Sequence, residues 1–195
     1  ANQLKQGAVL IGLLDPLSNP AIVKQCAEKQ VTMFALEFLP RISRAQAMDV
    51  LSSQANLGGY KAALLGADYA PKIFPMMTTA AGTIRPAKVF VIGAGVAGLQ
   101  AIATARRLGA QVEAYDVRPA TKEQVQSLGA RFVELGDGEQ DSETSGGYAK
   151  EQSEEEQKRQ AEQMARHVIG ADAVIATAAV FGKAPPMIVP QDVVD

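Results

Sequence analysis

The chain has 195 residues, 47% of them hydrophobic and 21% charged, a balance that suits one globular domain or one plus part of another and excludes a disordered, collagenous or disulfide-stapled chain. Nineteen Lys and Arg stand against 21 Asp and Glu, so no overall field favours nucleic acid or an anionic membrane. The longest apolar runs, Ala8 to Leu14 and Ala173 to Phe181, fall short of the roughly 18 residues that a membrane span requires, and one cysteine, Cys26, without a secretory pattern at the start points to a reducing, cytoplasmic setting.

The chain opens at Ala1 without a methionine and stops at Asp195, where a helix is starting after Pro190, so it reads as a fragment. From Gly7 the run GAVLIGLL suits a strand buried on both faces of a parallel sheet. The turn residues Asp15 to Pro20 follow, with Ser18 or Asn19 as a helix cap, Pro20 near the first helical position, and Ile22, Val23, Cys26 and Ala27 at helical spacing. This spacing marks Cys26 as a core thiol rather than a reactive one. Val31 to Phe38 reads as a second strand and Arg44 to Gly66 as a helix that can bend at Gly58-Gly59.

A Pro- and Gly-punctuated stretch, Pro71 to Pro86, then separates this block from a cleaner alternation. Val89 to Ile92, Val112 to Tyr115, Phe132 to Leu135 and Ala173 to Thr177 read as strands, and Ala97 to Leu108, Lys122 to Leu128 and Glu151 to Val168 as helices. Strands alternating with helices at these lengths predict βαβ units and a parallel sheet. The polar run GDGEQDSETSGG, from Gly136 to Gly147, predicts a mobile surface loop. In the last helix Glu154, Glu155 and Glu162 each stand four residues before a Lys or Arg, which predicts a solvated, charged face. His167, the only histidine, falls on that helix and is expected to be solvated too.

The strongest local signal is KVFVIGAGVAG, from Lys88 to Gly98, a G-x-G-x-x-G between an apolar strand and an alanine-rich helix. Gly93 allows a tight reversal, Gly95 leaves room for a pyrophosphate, and Gly98 lets the helix lie close to the strand. The helix N-terminus offers amide donors and partial positive charge to the phosphates at Ala94, Gly95 and Val96. Asp116, 18 residues after Gly98, ends the next strand, where a carboxylate accepts hydrogen bonds from ribose hydroxyls and repels a 2′-phosphate. NAD is therefore expected over NADP, with Arg118 the residue that argues the other way. FAD is the rival dinucleotide, although its fingerprint usually lies near a chain start, whereas here a β-α-β-α block precedes it.

With the fingerprint in place, four further stretches carry a resemblance: PRISRAQAMDVLSSQANLGGYKA from Pro40, AAGTIRPAKVFVIGAGVAGLQAIATARRLGA from Ala80, DVRPATKEQVQSLGA from Asp116, and GGYAKE from Gly146. In this order they resemble the NAD(H)-binding component of proton-translocating NAD(P) transhydrogenase, within the alanine dehydrogenase and transhydrogenase superfamily. The spacing Arg41, Gln46, Asp49 fits the transhydrogenases better than the alanine dehydrogenases. The resemblance implies an α/β fold, a Rossmann-type doubly wound parallel sheet plus part of a second βα domain with the cofactor in the cleft between them. Residues 1–51 would form the partial N-terminal βα domain, and residues 52–195 the NAD(H)-binding domain, incomplete at its C-terminus. It also implies that the fragment lacks roughly the first quarter of that component and its last strands and helices.

Carried over residue by residue, the resemblance puts Arg41, Asp49 and Ser52 at the nicotinamide carboxamide and Gln46 facing the NADP(H) component, with Arg41, Gln46 and Asp49 as the catalytic set. Gly93, Ala94, Gly95, Val96 and Gly98 would hold the pyrophosphate, and Asp116, Val117 and Arg118 the adenosine ribose. Gly147, Gln160 and Ala179 match peripheral contacts, and Tyr148 matches the tyrosine of a loop that closes over the nucleotide. Where some members have methionine four residues after that tyrosine, this chain has Gln152, which implies a weaker or differently packed closure.

The resemblance further implies NADP(H) on a partner component, a membrane component that translocates protons, a homodimer, and a position on the cytoplasmic or mitochondrial-matrix face of the inner membrane. No metal is expected. Independent of the resemblance, oxidising an alcohol or amine calls for a general base, usually histidine, and the one histidine lies far from the fingerprint in sequence. Direct hydride transfer between two nicotinamide rings needs positioning and dryness instead. An alanine dehydrogenase-like enzyme and a non-catalytic NAD-sensing module are the alternatives.

Overall fold

The first apolar run forms strand β1 (Val9–Gly12) and the second forms β2 (Thr32–Ala35), paired in parallel with Val9 opposite Thr32. Parallel neighbours need a crossover, and helix α1 (Pro20–Glu28) supplies it while Cys26 becomes 1% exposed, the core thiol expected. Asn19 and Pro20 open α1, but the Asn19 side chain does not cap it: its Nδ2 donates to the Asp15 carbonyl, 3.0 Å away. Asp15 has φ +44°, which turns the chain tightly enough to bring that carbonyl within reach. Glu37 Oε1 accepts the amides of both Leu14 and Asp15, tying the exit of β1 to the exit of β2. The computed structural model describes residues 3–40, 42–135, 154–178 and 187–194.

Several segments differ from the sequence expectation: the first run is not buried on both faces, since Val9 and Ile11 are 60% and 64% exposed, and the strand read as Phe132 to Leu135 is only Arg131–Phe132. The strand read as Val31 to Phe38 ends at Ala35, and Leu36–Phe38 is a 3₁₀ turn. The helix read from Arg44 to Gly66 is instead a 3₁₀ turn, Ser43–Met48, followed by helix α2 (Val50–Tyr69). Asp49, with ψ 84°, breaks the helical path between them and restarts it.

The chain divides into two compact units, residues 1–56 and 57–195, a division that falls inside α2 and five residues beyond the boundary read after residue 51. In the second unit the stretch read as a linker holds a small antiparallel hairpin, β3 (Met77–Thr79) and β4 (Gly82–Ile84), whose strands are exposed throughout. The core sheet follows as β5 (Lys88–Ile92), α3 (Val96–Arg107), β6 (Gln111–Tyr115), α4 (Lys122–Ser127), β7 (Arg131–Phe132), α5 (Glu154–Ile169) and β8 (Ala173–Ala176), with a last short helix, α6 (Gln191–Val194).

The four strands are parallel in the order β7-β6-β5-β8. Val89, Val91, Val112, Ala114 and Ile175 point to one face, where Ala101, Ile102 and Ala105 of α3, Val125 of α4 and Ala63 of α2 cover them. Phe90, Ile92 and Val133 point to the other, under Met164 and Val168 of α5. The β5 side chains are buried on both faces, which is why the sequence there reads as one unbroken apolar run. From β5 the chain steps outward to β6 and β7, then returns to place β8 on the opposite side of β5. Ligands of such sheets bind beyond the carboxyl ends of the strands at that reversal.

Helix α2 is continuous through Gly58-Gly59. A Cβ on Gly59 would lie 2.0 Å from the Ala97 carbonyl oxygen, so this glycine lets α2 and α3 touch backbone to backbone, whereas a Cβ on Gly58 meets nothing within 4 Å. The neighbours should therefore respond oppositely. Gly58→Ala should raise the unfolding free energy by about 0.5–1 kcal/mol through helix propensity, and Gly59→Ala should lower it by about 1–3 kcal/mol or more through overpacking. Equal shifts in chemical denaturation would show that the close crossing is not what the glycine serves.

Candidate functional site at the carboxyl edge of the sheet

At the end of β5 the chain reverses through Gly93, whose φ of +93° favours glycine. Neighbouring strands hold this turn on both sides. The Gly93 amide donates to the Tyr115 carbonyl of β6 at 2.8 Å, and just past β8 Thr177 Oγ1 donates to the Gly93 carbonyl at 2.9 Å while its amide donates to the Ile92 carbonyl at 2.8 Å. A Cβ on Gly98 would sit 1.8 Å from the Gly93 carbonyl oxygen, so the first turn of α3 rests directly on the reversal. In the sequence Thr177 reads only as a strand end. The signal that could have found it is a small hydroxyl residue closing a buried apolar strand at the sheet's switch point.

Gly95 has a different environment. Its backbone is extended (φ −78°, ψ −165°), and among the described residues a Cβ there meets only Arg118 Nη2, 4.0 Å away. Neither backbone strain nor packing against the described residues requires glycine at this position. It precedes the first turn of α3, whose leading amides have no partner within the helix and carry the positive end of its dipole. An anion can approach there, and a larger side chain would stand in its way.

Beside the turn, Asp116 follows β6 with its side chain 7% exposed. Its Oδ2 accepts the Ala94 amide at 2.6 Å and Arg118 Nη2 at 3.0 Å, and its Oδ1 accepts the Arg118 amide and Arg118 Nε, both at 2.9 Å. Burial works against the charge of this carboxylate, but the hydrogen bonds from the Arg118 side chain and from the amides of Ala94 and Arg118 together outweigh it and hold its pKa below the ordinary value. The same pairing raises the guanidinium pKa of Arg118. Tyr115 lies behind, its phenol pushed up by burial and then by the Asp116 charge. Val96 and Val117 leave apolar side chains exposed at the rim, Val117 by 79%.

The fold thus gathers Gly93, Ala94, Gly95, Val96, Gly98, Asp116, Val117 and Arg118 at one edge. Gln160 of α5 lines a groove with Tyr115, Met164 and Ile188 on the other face of the sheet. In the first unit, Asp49 precedes α2 and caps it: its Oδ1 accepts the Ser52 amide at 2.9 Å and its Oδ2 the Ser52 hydroxyl at 2.6 Å. Gln46 is exposed on the 3₁₀ turn before it. Arg41, Gly147, Tyr148, Gln152, Ala179 and the loop from Gly136 to Gly147 lie outside the described residues.

His167 is not the solvated residue that its charged helix suggested. Its ring stacks on Phe90 with centroids 5.4 Å apart, and its Nδ1 donates to Glu113 Oε2 at 2.9 Å, while Arg131 Nη2 holds Glu113 Oε1 at 3.0 Å. The strand register aligns Phe90, Glu113 and Arg131 in one row across the α5 face. Among the described residues no cluster of three or more His, Cys, Asp and Glu could hold a metal, and no helix is long and apolar enough to cross a membrane.

A parallel sheet reversing beside a G-x-G-x-x-G turn, with a buried carboxylate closing the next strand, defines a Rossmann-type, doubly wound α/β protein. Comparison with known sequences narrows this class: the model of the alanine dehydrogenase/PNT C-terminal domain matches residues 62–195 and that of the N-terminal domain residues 1–58, so the chain belongs to the alanine dehydrogenase/PNT family.

Among its relatives, an NAD(P) transhydrogenase alpha-subunit polypeptide of Rhodospirillum rubrum is 52% identical over 192 residues, covering 98% of this chain and 50% of the relative. The NAD(P) transhydrogenase subunit alpha of Haemophilus influenzae is 46% identical over 99% of this chain and 38% of its own length. The transhydrogenase structure from Sinorhizobium meliloti superposes with a TM-score of 0.85 at 49% identity, over 97% of this chain and 50% of that one. An L-alanine dehydrogenase shares the fold, with a TM-score of 0.71 at 20% identity over 99% of this chain and 48% of that one. The chain thus spans half the length of the Rhodospirillum rubrum relative, and less of the Haemophilus influenzae one.

The Asp116 pairing has a pH consequence of definite sign. A carboxyl with a lowered pKa in the folded state stabilises the fold above its unfolded pKa, about 3.9, and loses that contribution as pH falls through the folded value. Asp172, lowered chiefly by the Lys88 amide, acts in the same sense. Urea midpoints measured from pH 7 down to pH 3 should fall below about pH 4, and Asp116→Asn should flatten that fall by removing one of the carboxyls held ionised. An unaltered acid limb in the variant would show that Asp116 is not held ionised by its partners.

Proposed function

We propose that this chain is the NAD(H)-binding part of a proton-translocating NAD(P) transhydrogenase. The reading is carried by the open approach over Gly95 beside the buried Asp116 carboxylate, in a chain 52% identical to a transhydrogenase alpha subunit. On this reading the amides at Ala94, Gly95 and Val96 hold the pyrophosphate, with Gly93 and Gly98 shaping the turn. Asp116 takes the adenosine ribose and disfavours a 2′-phosphate, with Val117 and Arg118 beside it. Gly147, Gln160 and Ala179 serve as peripheral contacts, and Tyr148 covers the nucleotide when its loop closes.

In the first unit, Arg41, Asp49 and Ser52 orient the nicotinamide carboxamide, Arg41 through its forked donors and Asp49 as an acceptor. Gln46 faces a separate NADP(H)-binding component. Bound NADH supplies the hydride, which passes to NADP held on that component. A membrane component couples the transfer to proton movement, the soluble part acts as a homodimer, and the assembly works at the cytoplasmic or matrix face of the inner membrane. The role of this chain's residues is to place the ring and exclude water rather than to move a proton. The commitment of His167 to Phe90 and Glu113 agrees with this division of labour.

Stopped-flow mixing of the NADH-loaded chain with the NADP(H) component tests the reading directly. Rapid hydride transfer supports it; turnover of pyruvate and ammonia instead would assign an alanine dehydrogenase activity, and binding without chemistry a sensor. By calorimetry the chain should bind NADH more tightly than NADPH. Gly95→Val should abolish NADH binding while the circular dichroism and unfolding midpoint stay close to those of the unmodified chain, because the added side chain meets solvent and Arg118 rather than the core. Retained affinity in that folded variant would leave the glycine without a ligand role.

Arg41→Ala should separate the two halves of the task, since the adenosine half supplies much of the affinity and the rate depends steeply on ring placement. Single-turnover transfer at saturating NADH should drop by as much as about 100-fold with little loss of NADH affinity. A rate within about twofold would remove Arg41 from the site.

A further inference from the structure

The Asp116 carboxylate is already full. Its two oxygens offer about four acceptor positions, and four donors occupy them: the amides of Ala94 and Arg118, and Nε and Nη2 of Arg118. The two amides belong to backbone that is otherwise pinned. Ala94 sits in the glycine turn, and the Arg118 carbonyl accepts both the amide and the hydroxyl of Thr121, at 3.1 and 2.8 Å, with Thr121 buried. The two side-chain donors belong to a guanidinium group whose side chain is 60% exposed. A vicinal ribose diol brings two hydroxyl donors, the same number as the guanidinium would withdraw. The same Nη2 lies 4.0 Å from the Cβ position of Gly95, over the approach that a pyrophosphate would use.

We propose that Arg118 is an intramolecular competitor of the nucleotide: its guanidinium stands in for the adenosine ribose diol on Asp116 and must be displaced for the dinucleotide to bind. This rests on the NAD(H) reading above and assigns Arg118 a function distinct from direct contact. The backbone bonds to Asp116 remain in both arrangements, so the exchange trades one fork of two N–H donors for two O–H donors without unmaking the turn. The pairing therefore sets affinity. It holds the nucleotide below the tightness that Asp116 alone would give and provides a waiting partner for the carboxylate when the nucleotide leaves. The lowered pKa of Asp116 and the raised pKa of Arg118 agree that each stabilises the charge of the other.

The test is fluorescence titration of the full chain with NADH and with ADP, which carries the adenosine ribose and the two phosphates. Arg118→Ala should bind both about two- to fivefold more tightly than the unmodified chain, the size of one exposed ion pair. Arg118→Lys, a point charge without the fork, should fall between them and serves if the alanine variant folds poorly. In an Asp116→Asn background, where the guanidinium is no longer held on a carboxylate, Arg118→Ala should bring no gain, closing the cycle. Unchanged or weaker binding by Arg118→Ala would overturn the proposal, the weaker case making Arg118 a direct ligand; an equal gain in the Asp116→Asn background would overturn it by removing Asp116 from the competition. An unmodified chain that binds neither NADH nor ADP would overturn the NAD(H) reading itself and this inference with it.

Discussion

The candidate site depends on how closely backbone approaches backbone around the start of α3. The first turn of that helix rests on the Gly93 carbonyl at a separation that leaves no room for a Cβ on Gly98, and on its far side α2 presses Gly59 against Ala97. These close approaches bring the amide-bearing end of α3 to the strand terminus. Thr177, just past β8, and the Tyr115 carbonyl from β6 then fasten the reversal from both sides. Every contact at this edge of the sheet, including the amide that Ala94 offers to Asp116, follows from that packing. The small residues of α3, with Ala101 and Ala105 fully buried, extend the same close fit along the helix.

Charge completes what packing begins. An aspartate 7% exposed costs stability unless its oxygens are satisfied, and here main chain supplies half of the donors and Arg118 the rest. The result is a carboxylate that serves the fold and the site together: it locks the glycine turn to the end of β6 through Ala94, and it keeps a replaceable partner on its outer side. Asp49 shows a similar double use in the first unit, where the carboxylate assigned by resemblance to a ligand also caps α2 through Ser52. In both places a polar residue singled out for chemistry is fixed by a structural task, which keeps its oxygens in a defined direction.

The chain aligns along nearly its whole length with alpha subunits of transhydrogenases and covers half or less of each of them. The four-stranded sheet with its glycine turn is an assembled, internally satisfied unit within that span. The other face of the same sheet is organised around the row of Phe90, Glu113 and Arg131, with His167 packed over it. This arrangement draws the single histidine of the chain into the support of α5.

The run Val89 to Ile92 is buried on both faces and reads as an unbroken apolar stretch, so β5 was legible to within one residue; β8 was equally so although only Ile175 of it is buried, and the alanine-rich α3 between two turn signals was just as plain. The fingerprint and Asp116 could be read because their spacing is local: a turn, one helix and the next strand. The hairpin of β3 and β4 escaped because three-residue strands with exposed side chains leave no periodicity to find, and the 3₁₀ turn before α2 escaped because its composition is that of a helix until Asp49 interrupts the backbone. Thr177, His167 and the saturation of Asp116 by Arg118 belong to a different order of information. Thr177 meets Gly93 across 84 residues and His167 meets Glu113 across 54, distances over which no pattern of neighbours specifies a partner. Arg118 is only two residues from Asp116, yet whether its side chain turns back or reaches outward is settled by the burial of the carboxylate and by the bonds of Thr121 that hold the loop. Local residue chemistry is therefore enough to say that a glycine-rich strand-turn-helix exists and where it lies. Which side chains close around it is decided by the sheet register and by helix packing, because these bring together groups that the chain itself keeps apart.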